Sequence, residues 1–382
     1  MTESSTPPIY LDYNATTPIL PEVVEEMLPY LRGGFGNPSS SHVYGREARR
    51  AVDRARRQVA GLIGASPSEV IFTSGGTESN NLAIVGAMKA HSVGSAVVTS
   101  VIEHPSVVQP CRHVEGCGGD VIEIGVDETG RVDVDELDAA VGPDTGLVTI
   151  MHSNNETGVV QPIDEIVGAA RSCGALIHTD AAQSIGKVAV DVEELGVDLL
   201  SIAGHKVYAP KGVGALYVAS GVDVEPVLRG AGHERGLRPG TENVAAIVGL
   251  GKACELVVER GEEFRERVAS LRDRLWEILA GGVDGIGLNG HPEDRLPNTL
   301  NVRFPGVAGA EVLARTPEIA ASTGSACKEG GVRPSRVLTA MGLDEDQALG
   351  SVRLALGCKT TRQDVDRAAE LLVDGWRRAT SG

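Results

Sequence analysis

Residues 176–206 read LIHTDAAQSIGKVAVDVEELGVDLLSIAGHK. Two apolar runs, Leu176–Asp180 and Asp198–Ala203, bracket this stretch. Both are short, rich in Leu and Ile, and apolar at consecutive positions, the pattern of strands buried on both faces of a parallel sheet. Each runs directly into polar residues. The first ends in His178-Thr179-Asp180, with Gln183 shortly after; the second ends in Gly204-His205-Lys206. Ligands of open α/β sheets bind outside the carboxyl ends of the strands, so those polar residues are where chemistry is expected.

The same grammar extends outward. Further strands are expected at Val70–Ser74, Ala96–Ser100, Val121–Val126, Leu147–Ser153 and Val213–Val218, with helices at Glu78–Ala90, Pro105–Val114, Asp133–Ala140 and Ile163–Ser172. Strands alternating with helices give an α/β sheet wound by right-handed crossovers. A long helix from Asn243 to about Leu279 has room to link two domains. Beyond it the rhythm changes: strands at Thr299–Phe304 and Val352–Leu356 are separated by Pro- and Gly-containing segments, and Thr361–Arg378 closes the chain as a helix. This is read as a smaller domain.

Composition fits that picture. The 382 residues are 42% apolar and 23% charged, ordinary values for a globular protein. No apolar run is long enough for a membrane span. Met1–Tyr10 holds no basic residue and no apolar core, so the cytoplasm is the expected compartment. A net charge of −17 repels phosphate backbones and anionic membranes, which argues against direct nucleic-acid binding. The six Cys (Cys111, Cys117, Cys173, Cys254, Cys327 and Cys358) form no C-x-x-C pair or zinc spacing. Most are expected to be small core residues, with one a nucleophile. Only seven of the 35 basic residues are Lys, so candidates for a catalytic amine are few.

Five strand ends aim polar groups at one sheet edge: Gly75-Gly76-Thr77-Glu78-Ser79, Glu103-His104, Asn154-Asn155-Glu156, His178-Thr179-Asp180, and Gly204-His205-Lys206. Singly, each has an ordinary reading. Gly75-Gly76-Thr77 suits a turn and helix cap as well as a phosphate cradle. His104 suits a strand end satisfied by backbone, Asp180 a helix cap, and Lys206 an exposed side chain. Together they match one cofactor. Pyridoxal phosphate needs a Lys for its covalent link, a carboxylate on the ring nitrogen and a phosphate cradle. Lys206, Asp180 and Thr77 supply these; His104 is placed to stack on the ring, and Gln183 and Asn155 to bond its oxygen.

Longer motifs carry a resemblance. They are Tyr10-Leu11-Asp12-Tyr13-Asn14-Ala15-Thr16-Thr17-Pro18, Gly36-Asn37-Pro38-Ser39-Ser40, Ser74-Gly75-Gly76-Thr77-Glu78-Ser79-Asn80, Glu103-His104-Pro105, Asn154-Asn155-Glu156-Thr157-Gly158, His178-Thr179-Asp180-Ala181-Ala182-Gln183, Gly204-His205-Lys206, Arg238-Pro239-Gly240-Thr241-Glu242-Asn243, Ser322-Thr323-Gly324-Ser325-Ala326-Cys327 and Val352-Arg353-Leu354. With these the chain resembles the NifS/IscS family of cysteine desulfurases, fold-type-I pyridoxal 5'-phosphate enzymes of the class-V aminotransferase family, over nearly its whole length.

The resemblance implies a large domain, 15–257, with a mostly parallel seven-stranded sheet, and a smaller α+β domain, 1–14 with 258–382. It implies that Lys206 carries the cofactor, Asp180 pairs with the ring nitrogen, and His104 stacks on the ring and shuttles protons. Gly76, Thr77 and His205 would hold the phosphate, Asn155 and Gln183 would contact the cofactor, and Thr241 would reach the phosphate of a neighbouring subunit in a homodimer. Arg353, with Asn155, would clamp the carboxylate of L-cysteine. Cys327 would take up the sulfur as a persulfide while alanine leaves, from a loop made mobile by the small residues before it and Gly330-Gly331 after it. Cys358 is the weaker rival. A sulfur-acceptor protein is the implied partner, in iron–sulfur assembly, tRNA thiolation or DNA phosphorothioation, with the specialised donors favoured by the short C-terminal segment. Two departures stand out: Ala203 replaces a common Ser, so one phosphate hydrogen bond is expected to be absent, and Lys328-Glu329 follow Cys327 where small residues are commoner. The alternatives are a selenocysteine lyase or aminotransferase on the same fold, a catalytically silent scaffold, and an iron–sulfur or zinc protein, which the scattered Cys disfavour.

Overall fold

The computed structural model describes residues 7–90, 95–324, 326–328 and 331–381, the side chains of 326–328 and 331–332 excepted. Its centre is a seven-stranded sheet built from β1 (Val70–Thr73), β2 (Ala96–Ser100), β3 (Asp120–Ile124), β4 (Thr145–Thr149), β5 (Leu176–Asp180), β6 (Leu199–Ala203) and β7 (Gly214–Val218). In space the order is β1-β7-β6-β5-β4-β2-β3. Only β7 runs against its neighbours, pairing antiparallel with β1 and β6. The other pairs are parallel.

The consecutive apolar residues have a direct consequence. Every residue of β2, β4, β6 and β7 is buried. Side chains alternate between two apolar layers: Val97, Leu147 and Leu199 pack on one face, and Val98, Val148 and Leu200 on the other. Helices cover both faces, which is why the strands read as continuous apolar runs rather than alternating ones.

Two helices before β1 escape the sequence reading, Pro21–Arg32 and Val43–Leu62. The second buries a stripe of Ala48, Ala51, Val52, Ala55, Val59 and Ala60. Ala and Val on one face stand against Arg on the other, so the helical period is present in the sequence although the reading above passes over it. The expected helix from Glu78 to Ala90 starts earlier, at Gly76, and is relaxed by a π-helical turn at Leu82–Gly86.

The long helix, Val244–Gly282, has 39 residues and would span about 58 Å at the ordinary rise. Its first half packs into the sheet's core through Ile247, Leu250 and Leu256. Its second half joins a separate apolar cluster through Leu271, Leu275 and Leu279. That cluster includes a three-stranded antiparallel sheet, Ser351–Ala355 beside Thr299–Arg303 beside Gly287–Asn289, and the helix Arg362–Thr380. The N-terminal strand Ile9–Tyr10 pairs with Ile319–Ala320. The chain then crosses at Asp12–Thr17 to the sheet edge where the polar residues gather. Among the described residues no helix is long and apolar enough to cross a membrane.

Candidate active site

The carboxyl ends of the parallel strands open onto a cavity of about 390 Å³, within the range of small-molecule sites. Gly76, Thr77, His104, Asn155, Asp180, Gln183, His205, Lys206 and Arg353 all line it. Nine residues singled out from sequence thus meet in one place, although they span 278 positions from Gly76 to Arg353.

Each is set by its local chain. Gly75, at φ 143°, turns β1 into the helix that begins at Gly76, a conformation side chains other than Gly's rarely adopt. A Cβ on Gly76 would lie 3.2 Å from the Ala203 side chain, so the backbone of this turn lies close against the end of β6. The helix N-terminus therefore faces the cavity with its amides unscreened, a setting that suits a phosphate.

His104 caps the helix Pro105–Gly116, with Pro at the first position where no N–H is missed. Its Nδ1 accepts from the Ser106 backbone N–H at 3.2 Å and lies 2.7 Å from Ser106 Oγ. That pairing assigns the proton of the neutral ring to Nε2. Burial lowers the His104 pKa, partly opposed by the Asp180 carboxylate. Asn80 Nδ2 donates to both Ser106 Oγ, at 2.8 Å, and Asp180 Oδ2, at 2.7 Å. Asp180 Oδ1 accepts from the Ala182 N–H at 2.9 Å. One buried amide thus braces the ring-stacking candidate and the carboxylate together.

Lys206 follows β6 in a short 3-10 turn. Its Nζ donates to the carbonyls of Asn14 and Ala15. Burial pushes its pKa down to about 8, helped by the Arg353 guanidinium and opposed by Asp180 and Asp12. The solvated-lysine reading therefore gives way to an amine that sheds its proton near neutral pH. His205 is lowered to about 4, by burial first and by Lys206 next, so its ring is neutral.

Arg353 is buried on the strand Ser351–Ala355. Nη1 donates to the Asn155 carbonyl at 3.0 Å and Nη2 to Asp12 Oδ1 at 2.7 Å. Its Nε is buried without a partner among the described residues. A buried donor left unpaired is costly; the residue as a whole lines the cavity, where its guanidinium would offer a carboxylate a cationic partner.

Thr241, expected to serve a neighbouring subunit, and Cys327 remain. Thr241 is exposed and does not line this cavity. The Cys327 side chain, like Ser325 of the same motif, lies outside the described residues. Within the segment expected to form a mobile loop, the described backbone pairs Ala326–Lys328 antiparallel with Gly331–Arg333, with Cys327 opposite Val332. Of the other Cys, only Cys111 and Cys254 are buried; Cys173 and Cys358 are half-buried and Cys117 is exposed, so fewer serve as core residues than expected. Burial raises the Cys358 pKa, which disfavours it as a thiolate.

Sequence reasoning gave no role to Asn14, Asn80, Ser106 or Lys187. Asn14 and Ser106 line the cavity; Asn80 and Lys187 stand behind it. The first three are small polar residues whose importance depends on which strands meet. Lys187 left a signal: a Lys four residues after Gln183, within the apolar run Ile185 to Val190.

The donor set (a depressed amine, a buried carboxylate, a neutral imidazole and a helix N-terminus) fits pyridoxal phosphate. Comparisons with known proteins agree. The aminotransferase class-V family matches residues 9–368. The chain is 45% identical over 367 residues to the cysteine desulfurase IscS of Dictyoglomus turgidum, covering 95% of this chain and 93% of that one. A solved NifS-like protein superposes with a TM-score of 0.90 at 36% identity, covering 96% and 98% of the two chains. SspA, solved in complex with cysteine, superposes with a TM-score of 0.82 at 39% identity, covering 91% and 98%.

Proposed function

The chain belongs to the aminotransferase class-V family and is a pyridoxal-phosphate-dependent cysteine desulfurase, and from that premise we propose that Lys206 carries the cofactor, Arg353 seats the substrate and Cys327 takes up the sulfur. The observation that carries this reading is one cavity lined by a depressed Lys206 amine, the buried Asp180 carboxylate and the Arg353 guanidinium.

Asp180 would face the ring nitrogen, Gly76, Thr77 and His205 the phosphate, Asn155 and Gln183 the ring oxygen, and His104 the ring itself. Bound there, pyridoxal phosphate supplies an electron sink that stabilises negative charge at the substrate Cα. Arg353 holds the substrate carboxylate as a charge-assisted pair. Lys206, unprotonated in an appreciable fraction near neutral pH, takes the Cα proton. The Cys327 thiolate attacks the substrate sulfur. A sulfur–sulfur bond forms, the Cβ–S bond breaks, and its electron pair stays with the carbon fragment, which gains a proton. L-Cysteine and the Cys327 thiol thereby become L-alanine and a Cys327 persulfide, with atoms and electrons balanced.

The reading also includes a homodimer in which the exposed Thr241 serves the neighbouring site, the two-domain division 15–257 and 1–14 with 258–382, a cytoplasmic setting, and delivery of sulfur to an acceptor protein. The net charge of −17 supports a protein acceptor over direct contact with nucleic acid, whether the sulfur goes to clusters, tRNA or DNA. The separation of the apolar clusters supports the division. Reduction of the holoenzyme with borohydride tests the core of the proposal: the label should fall on Lys206, and Lys206→Ala should form no alanine. Label on another lysine would overturn it.

A further inference from the structure

A second lysine lies behind the cavity. Lys187 is only 4% exposed and makes no ion pair among the described residues. Its Nζ donates instead to two side-chain amide oxygens, Gln183 Oε1 at 2.6 Å and Asn14 Oδ1 at 3.2 Å. Burial of an amine with neither carboxylate nor solvent is costly, and nearby Lys206 and Arg353 add repulsion. Core packing alone would be served better by an apolar residue.

The arrangement around it has a direction. Gln183 Nε2 donates to the Asn14 carbonyl at 2.9 Å, and its Oε1 is taken by Lys187. The Asn14 carbonyl also accepts from Lys206 Nζ. The Asn14 side chain is held from three further sides, by Asn298 Nδ2 at 3.1 Å, Thr299 Oγ1 at 2.8 Å and the Asn155 carbonyl at 3.2 Å. Gln183 lines the cavity, whereas Lys187 does not. With Oε1 held by Lys187 and one N–H given to the Asn14 carbonyl, Gln183 keeps the second N–H of Nε2 as the donor it can offer toward the cavity.

We propose that Lys187 is a positioning residue: it fixes the amide of Gln183 so that an Nε2 donor is turned toward the cofactor, and it pins Asn14 beneath Lys206. The assignment rests on the reading of Gln183 as a cofactor contact. It does not depend on the charge of Lys187, because a neutral amine still has two N–H groups for its two oxygen partners.

The test is the dissociation constant of pyridoxal 5'-phosphate from purified holoenzyme, by equilibrium dialysis, together with the position of the bound cofactor's visible band. Lys187→Met should weaken cofactor binding roughly tenfold to a hundredfold, the range for a lost hydrogen bond to a charged group, and shift the band. Gln183→Ala should do the same, and the double variant should be no worse than Gln183→Ala alone. Gln183→Glu gives Lys187 an ion-pair partner at the cost of the bond to the Asn14 carbonyl and has no N–H to offer, so it should show the same loss. Should Lys187→Met not fold, Gln183→Glu still decides: wild-type affinity and band in that variant would overturn the proposal. A wild-type Lys187→Met, or one whose effect adds in full to Gln183→Ala, would overturn it while leaving Gln183 as a contact. A wild-type Gln183→Ala would instead remove the underlying reading of Gln183.

Discussion

Arg353 and Ser322 are paired backbone to backbone: the Arg353 N–H donates to the Ser322 carbonyl at 2.7 Å, and the Ser322 N–H returns a longer bond of 3.4 Å. The strand that holds Arg353, the proposed substrate-binding residue, therefore also fixes the root of the segment leading to Cys327, five residues on. The proposed carboxylate clamp and the proposed sulfur acceptor share one anchor, on the smaller unit's sheet, while Lys206 and Asp180 sit on the larger one.

Arg353→Lys keeps the charge and loses the fork that reaches Asp12, the Asn155 carbonyl and a carboxylate together. KM for L-cysteine should rise roughly tenfold to a hundredfold, with cofactor content unchanged. Steady-state alanine formation measures this; an unchanged KM would remove Arg353 from the substrate site.

Lys206 predicts a pH profile. Its amine is protonated and unreactive well below about 8 and free above it, because burial holds the pKa there instead of at 10.5. Covalent capture of pyridoxal phosphate by cofactor-free protein, trapped with borohydride, should rise through that value and level off above it. A rate still climbing toward the ordinary lysine range would contradict the burial argument.

Ser106 transmits the Asn80 amide to His104 Nδ1. Ser106→Ala leaves the backbone N–H on Nδ1 and removes the hydroxyl, so stability should fall by about 1 kcal/mol and kcat should fall with KM little changed. Chemical denaturation and initial rates separate the two effects. An unaltered kcat would make the relay a packing feature only.

Much of this was legible beforehand. The inner strands of the central sheet are apolar on both faces, so composition alone marks them, and five of the seven strands run into site-facing polar residues within a few positions. Arg353 was placed by resemblance to known motifs. What stayed hidden needed three dimensions. Asn80 and Ser106 become a brace only because the helix after β1 packs on the helix after β2. Asn14 becomes a hub because the N-terminal segment crosses from one unit to the other. The apolar stripe of Val43–Leu62, by contrast, stands out against its Arg residues at helical spacing and was legible but missed.

Glu103 adjoins the site without belonging to it. Its Oε1 accepts from Ser100 Oγ and the Met151 N–H, while Oε2 is buried without a partner among the described residues. Burial raises its pKa from 4.5 to about 8. Unfolded chains therefore ionise near 4.5 while the folded protein keeps the proton, so stability falls as pH rises across that window and levels off above about 8. Glu103→Gln cannot ionise and should show a flatter dependence. Thermal unfolding over that window checks it; parallel curves would show that Glu103 is charged in the folded state.

The central claim is that sulfur leaves L-cysteine onto Cys327. One turnover of holoenzyme with L-cysteine and no reductant, followed by alkylation and mass spectrometry, tests it most directly. The account predicts one alanine per active site and one extra sulfur on Cys327, with Cys327→Ser still binding cofactor but yielding almost no alanine. Extra sulfur on Cys358, or full alanine release from Cys327→Ser, would contradict it.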